Sequence, residues 1–119
     1  MGKLLMVLSL TPFQSERVDH ALNIASVSLD NGNEVTIFLF MDGVYNMTKT
    51  QKGEVFKVKP TSQRLVELMG KGAEVTCCRL CKELRGLEDL MIPEGIEIKG
   101  VSYLNDAITE ADSVISFTS

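Results

Sequence analysis

This 119-residue chain has one histidine and three cysteines, so soft metal ligands and strong nucleophiles are scarce. A closed structural zinc site wants four such ligands, and the lone His20 falls in a predicted helix far from the cysteines, so no metal is expected. Cysteine–histidine hydrolysis would have to recruit that same distant residue. No Gly-x-Ser-x-Gly elbow, Walker loop or Gly-x-Gly-x-x-Gly fingerprint occurs, and no cofactor is expected. No apolar run reaches the ~18 residues of a membrane span. Met1 to Leu10 is apolar but too short for a signal peptide, and no small-residue cleavage site follows it. The cysteines are odd in number and clustered, which makes a poor disulfide framework. Basic charge is short as well: net charge is −4 and the sequence pI about 5.0, against general nucleic-acid binding. A soluble cytoplasmic protein with reduced thiols is the expectation.

The length suits one compact domain spanning residues 1–119, large enough for a core without metal or disulfide staples. Charge is uneven. Lys49 to Arg64 carries net +4, Arg79 to Arg85 carries net +2, and the remainder carries −10. Two basic islands in an acidic chain are candidate sites for small anions, or else a solvated loop and a charged helix face.

Strand and helix patterns alternate. Lys3 to Leu10 is a nearly continuous apolar run, as in a strand covered on both faces. A helix is predicted from about Phe13 to Asp30, with Val18, Ala21, Leu22, Ala25 and Leu29 as its stripe. Glu34 to Met41 is the second strand, followed by a polar loop from Val44 to Pro60. Thr61 or Ser62 is the expected cap of a helix with Leu65, Leu68 and Met69 on its apolar face. Ala73 to Cys77 is the third strand, Gly95 to Lys99 the fourth and Ser113 to Phe117 the fifth. A last helix, capped by Ser102, presents Leu104, Ala107, Ile108 and Ala111. The fold class is therefore α/β, a three-layer α/β/α sandwich with a five-stranded parallel sheet. Ligands bind such sheets beyond the strand carboxyl ends, where Ser9 to Gln14, Asp42 to Asn46 and Cys77 to Cys81 are expected to converge.

The chemistry concentrates in Cys77-Cys78-Arg79-Leu80-Cys81-Lys82-Glu83-Leu84-Arg85-Gly86. A thiol where a strand enters a helix faces unpaired backbone N–H groups, which favour the reactive thiolate. Cys81, Lys82 and Arg85 follow Cys78 at i+3, i+4 and i+7, on one helix face, and Arg79 adds positive charge. Three readings follow. Cys78 is a nucleophile or sulfur carrier; Cys78 and Cys81 form a CxxC redox dithiol; or the thiols are small buried hydrophobes in a binding module. Ahead of them Asp42-Gly43-Val44-Tyr45-Asn46 ends the second strand in a glycine-permitted turn, with Tyr45 and Asn46 offering hydrogen-bonding groups.

The Asp42-Gly43-Val44-Tyr45-Asn46 turn, and Cys78 followed by Arg85-Gly86, resemble the DsrE/DsrF-like sulfur-relay family. Gly100 and the Asp112 to Phe117 strand also fit, so the resemblance spans the chain. It implies the DsrEFH-like, flavodoxin-like variant of the α/β/α fold. It implies assembly as homotrimers or hexamers, or mixed oligomers, with sulfur donors and acceptors as partners. In the better understood members one cysteine accepts sulfane sulfur as a persulfide, and Cys78 matches it. Some branches carry a second cysteine three places on, matched by Cys81. Cys77 matches no family role. The implied activity is that of a sulfur carrier or sulfurtransferase, acting on proteins or small sulfur compounds.

Overall fold

The computed structural model describes residues 2–13, 15–53 and 56–118. Five strands alternate with four α-helices: β1 (Lys3–Leu8), α1 (Glu16–Asp30), β2 (Glu34–Leu39), α2 (Thr61–Gly70), β3 (Glu74–Cys78), α3 (Arg79–Leu84), β4 (Glu97–Lys99), α4 (Val101–Glu110) and β5 (Ser113–Phe117). All ladders are parallel, in the order β4-β3-β2-β1-β5. The steps from β1 to β4 run one way across the sheet, so right-handed crossovers place α1 and α2 on one face. The return from β4 to β5 places α4 on the other face, which completes the three layers.

Register and pleat divide the core. Phe38 lies against Tyr103 of α4, with ring centroids 6.4 Å apart. The alternating residues Val35, Ile37 and Leu39 therefore face α1 and α2, with Leu4, Met6 and Leu8 opposite them in β1. Against these pack Val18, Ala21, Leu22 and Ala25 of α1 and Leu65 and Leu68 of α2, all buried. Each large aliphatic side chain so removed from water contributes roughly 1.5–3 kcal/mol. The α4 layer is thinner. No residue of α4 is fully buried, and Ile108 and β5 Val114 are each 45% exposed.

Several boundaries differ from the sequence reading. Pairing of β1 ends at Leu8 and of β2 at Leu39, where the chains diverge into the loops above the sheet. Ser15 caps α1 by accepting the Arg17 N–H at 3.1 Å, so the helix starts after Phe13. Val44 to Met47 is not polar loop. It belongs to a 3-10 segment, Met41–Met47, with Val44 and Met47 fully buried. Thr61 and Ser62 do not cap α2; Pro60 stands at the cap, and the Ser62 N–H goes to Gln51 Oε1 at 3.3 Å. Gly100, not Ser102, precedes α4.

Candidate functional site

Strands β1, β2 and β3 are adjacent, so their carboxyl ends meet above the sheet, and the segment after β2 joins its neighbours on both sides. Toward β1, Asn46 is fully buried and its Nδ2 donates to the carbonyls of Leu10 at 2.7 Å and Gly43 at 3.0 Å. Gly43 sits directly against the end of β1. A Cβ there would lie 1.9 Å from the Leu8 carbonyl oxygen, a distance no side chain tolerates. Of the Ser9 to Gln14 segment, Gln14 lies outside the described residues.

Toward β3, the same segment meets the thiols. Cys77, Cys78 and Cys81 are free and buried. Cys77 pairs in register with Leu39 and so faces the α1 and α2 layer, while the pleat turns Cys78 to the opposite side. Met41 takes a left-handed backbone conformation, φ 51°, and donates its N–H to Cys81 Sγ at 3.2 Å. Arg85 Nη1 donates to the Cys81 carbonyl at 3.2 Å and its Nε to Asp42 Oδ1 at 2.8 Å. The Asp42 bond raises the already high pKa of Arg85, and half-buried Tyr45 adds to this from nearby.

The three cations of the cysteine segment therefore part company. α3 lasts only six residues and closes at Gly86, φ 69°, so the extended single face read from spacing does not form. Arg79 is exposed. Lys82 is buried and paired with Asp89 at 3.1 Å and Glu83 at 3.4 Å. Burial pulls its ammonium pKa down, the two carboxylates more than restore it, and the net shift is upward. Arg85 reaches Cys81, by donating to its carbonyl. The N-terminus of α3 also fails to supply the expected donor, because the Cys78 side chain makes no capping bond there.

Burial dominates the thiol chemistry. It pushes Cys77 up to about 12, assisted by the neighbouring sulfurs and opposed by Lys82. It raises Cys81 as well, with neighbouring Cys78 adding to it and the Met41 N–H and Arg85 pulling the other way. Cys81 thus rests as a protonated thiol beside groups that favour its anion. The first basic island behaves differently, for Lys59 pairs with Glu67 at 3.0 Å and Arg64 with Asp19.

Two contributors escape sequence reasoning. Met41 acts through its backbone, which no residue type advertises. Gln51 donates to the Tyr45 and Asn46 carbonyls, each at 3.1 Å, and so ties this segment to the α2 N-terminus. Only proximity in the fold reveals it.

An all-parallel five-stranded α/β domain with a thiol pair at the end of its third strand is a narrow class of protein. The DsrE/DsrF-like family model matches residues 2–117, and the chain belongs to that family. It is 36% identical to the uncharacterized protein MK0008 of Methanopyrus kandleri, over 94% of this chain and 91% of that one. It is 33% identical to the uncharacterized protein MJ0989 of Methanocaldococcus jannaschii, over 97% and 99%. The crystal structure of the ychN protein from E. coli superposes with a TM-score of 0.87 at 25% identity, covering 98% of this chain and all of the other. Among the described residues no helix is long and apolar enough to cross a membrane.

Proposed function

We propose that this chain is a sulfur carrier, which takes sulfane sulfur as a persulfide on the thiol pair Cys78 and Cys81 and hands it to an acceptor. One observation carries the reading: buried free thiols stand where β3 enters α3, and there Cys81 Sγ accepts the Met41 N–H while Arg85 donates to the Cys81 carbonyl. Membership of the DsrE/DsrF-like family supports it. Because burial keeps Cys81 protonated, a docking donor has to uncover the pair before transfer. Exposed Leu80 and Leu84 on α3 offer apolar surface for such docking. Three free thiols suit a reducing compartment such as the cytoplasm. Exposed Val101, Ile108 and Val114 on the thin α4 side support self-assembly as a trimer or hexamer. Sedimentation of the protein as a monomer at micromolar concentration would remove that part of the proposal.

The burial of all three thiols favours a rival, a binding module whose cysteines are structural. The Cys78-Arg79-Leu80-Cys81 spacing favours another, a dithiol redox protein. Intact mass after exposure to a persulfide donor separates them. A carrier gains sulfur that reductant removes, whereas a redox dithiol loses two hydrogens as the donor is reduced and its outer sulfur leaves as hydrosulfide, so that the chain's mass never rises by a sulfur atom. A folded, reduced protein that shows neither change is the binding module.

A further inference from the structure

We infer that two copies of this chain pair at the carboxyl end of the sheet: Phe56 and its flanking lysines in one copy seat on the leucines and carboxylates that follow β3 in the other, and the reverse. The inference goes beyond the carrier reading and does not depend on it.

One half of the surface lies between β2 and α2. Phe56 is 76% exposed and Val58 is exposed beside it, a large apolar area to leave in water. Hydrogen bonds fix their backbone, for the N–H groups of Phe56 and Val58 both go to the Gly53 carbonyl, at 3.1 and 2.9 Å. Lys57 between them takes a left-handed conformation, φ 56°, which a lysine adopts at a cost. Lys49, Lys52 and Lys57 are exposed, and none has an ion pair among the described residues.

The other half follows β3. Leu80 and Leu84 stand one turn apart on α3, both exposed, and Leu90 is 87% exposed. The Lys82–Asp89 ion pair, at 3.1 Å, holds the Leu90 segment to α3. Charge here has the opposite sign. Glu88 and Glu94 are exposed without an ion pair among the described residues, and Asp89 is exposed in spite of its bond to Lys82. Against them stand exposed Arg79 and Arg85, and Asp42 already neutralises Arg85.

The two halves are neighbours. Lys49 donates its N–H to the Met91 carbonyl at 2.7 Å, so the lysine-bearing segment starts beside the leucine-bearing one. A surface that carries a patch and its complement side by side closes on a copy of itself about a two-fold axis, each contact made twice. Phe56 supplies the aromatic anchor, the leucines its seat, and the lysines and carboxylates a polar rim. Charge selects this occupant. An extended polyanion such as a nucleic acid would meet the lysines and also the chain's net charge of −4, whereas a second copy brings carboxylates matched to them. Because Leu80 and Leu84 flank Cys81 on α3, pairing of copies and docking of a sulfur donor exclude each other.

The test is sedimentation of the full chain at micromolar concentration, wild type beside two charge reversals that leave the thiols alone. One is Lys52→Glu with Lys57→Glu, the other Glu88→Lys with Glu94→Lys. Each alone is expected to halve the mass of the wild-type assembly, because like charges then face each other. An equal mixture of the two is expected to restore it, since opposite charges meet again at both contacts. The chain carrying all four reversals is expected to restore it as well. Phe56→Ser is expected to weaken pairing about tenfold or more. Unchanged urea midpoints show that the variants are folded. A monomeric wild type, reversed variants that keep the wild-type mass, or a mixture that stays apart overturns the inference. Retained mass in both variants would leave self-assembly to the α4 side alone. Sulfur uptake by the separated variants, read by intact mass, reports on the carrier reading independently.

Discussion

Arg85 Nε donates to Asp42 Oδ1 at 2.8 Å, so one ion pair joins the turn after β2 to the end of α3. The two side chains are 21% and 58% exposed, which places the pair near the surface. Its value lies in aim more than in stability. Asp42→Ala is expected to cost only about 0.2–1 kcal/mol in denaturant unfolding. The same variant should slow Cys81 alkylation clearly, because Arg85 loses its anchor. A loss of several kcal/mol with unchanged alkylation would mean that the pair is a structural clamp instead.

Stability should fall in alkali through Cys77. An unfolded thiol ionises from the ordinary 9.0 upward, whereas buried Cys77 holds its proton up to about 12. Within that window the folded state binds more protons, so raising the pH favours unfolding, by at most about 1.4 kcal/mol per pH unit for one thiol. Below the window the contribution is complete. Tyr103, raised by burial and by its bond to Glu74, acts in the same direction, so the difference between wild type and Cys77→Ala is the quantity to measure. Cys77→Ala should flatten the alkaline slope of the unfolding free energy. Parallel slopes would show that Cys77 titrates normally.

Gly43→Ala should destabilise the chain. The added Cβ would lie 1.9 Å from a backbone oxygen, which has no rotamer by which to yield. The expected cost is roughly 1–3 kcal/mol, typical of overpacking. Because the displaced turn also carries Met41 and Asp42, Cys81 reactivity should change with it. Gly70→Ala, where an added Cβ meets nothing within 4 Å, is the control and should cost little.

Asn46→Leu conserves approximate size but leaves the Leu10 and Gly43 carbonyls without their buried donor. The expected loss is about 1–3 kcal/mol by chemical denaturation. Asn46→Asp should be worse at neutral pH and partly recover in acid, since a protonated carboxyl regains one donor. Equal stability for both variants across pH would remove the bridging role.

Much of the fold is legible in the chain because apolar runs bounded by turns leave few alternatives. Lys3 to Leu10 and Glu34 to Met41 read as strands, and both lose only their last residues, where the ladder stops and the chain climbs into the loops. The stripe Val18, Ala21, Leu22 and Ala25 is the buried face of α1. Val44 and Met47 mislead because one 3-10 turn is too short to show a period. The site is legible in its members but not in its wiring. Spacing puts Lys82 and Arg85 on one helix face with Cys78, yet a helix ending at Leu84 sends Lys82 to Asp89 and Arg85 to Asp42. The Met41 N–H is invisible in sequence because every residue but proline carries one.

Adjacent in the chain, Cys77 and Cys78 stand on opposite sides of the sheet. The strand's last step thereby turns the two adjacent sulfurs apart. A persulfide formed on Cys78 would have to pass round the backbone at the strand's end to reach Cys77. Two neighbouring thiols would ordinarily invite scrambling, and one pleat of backbone stands in its way.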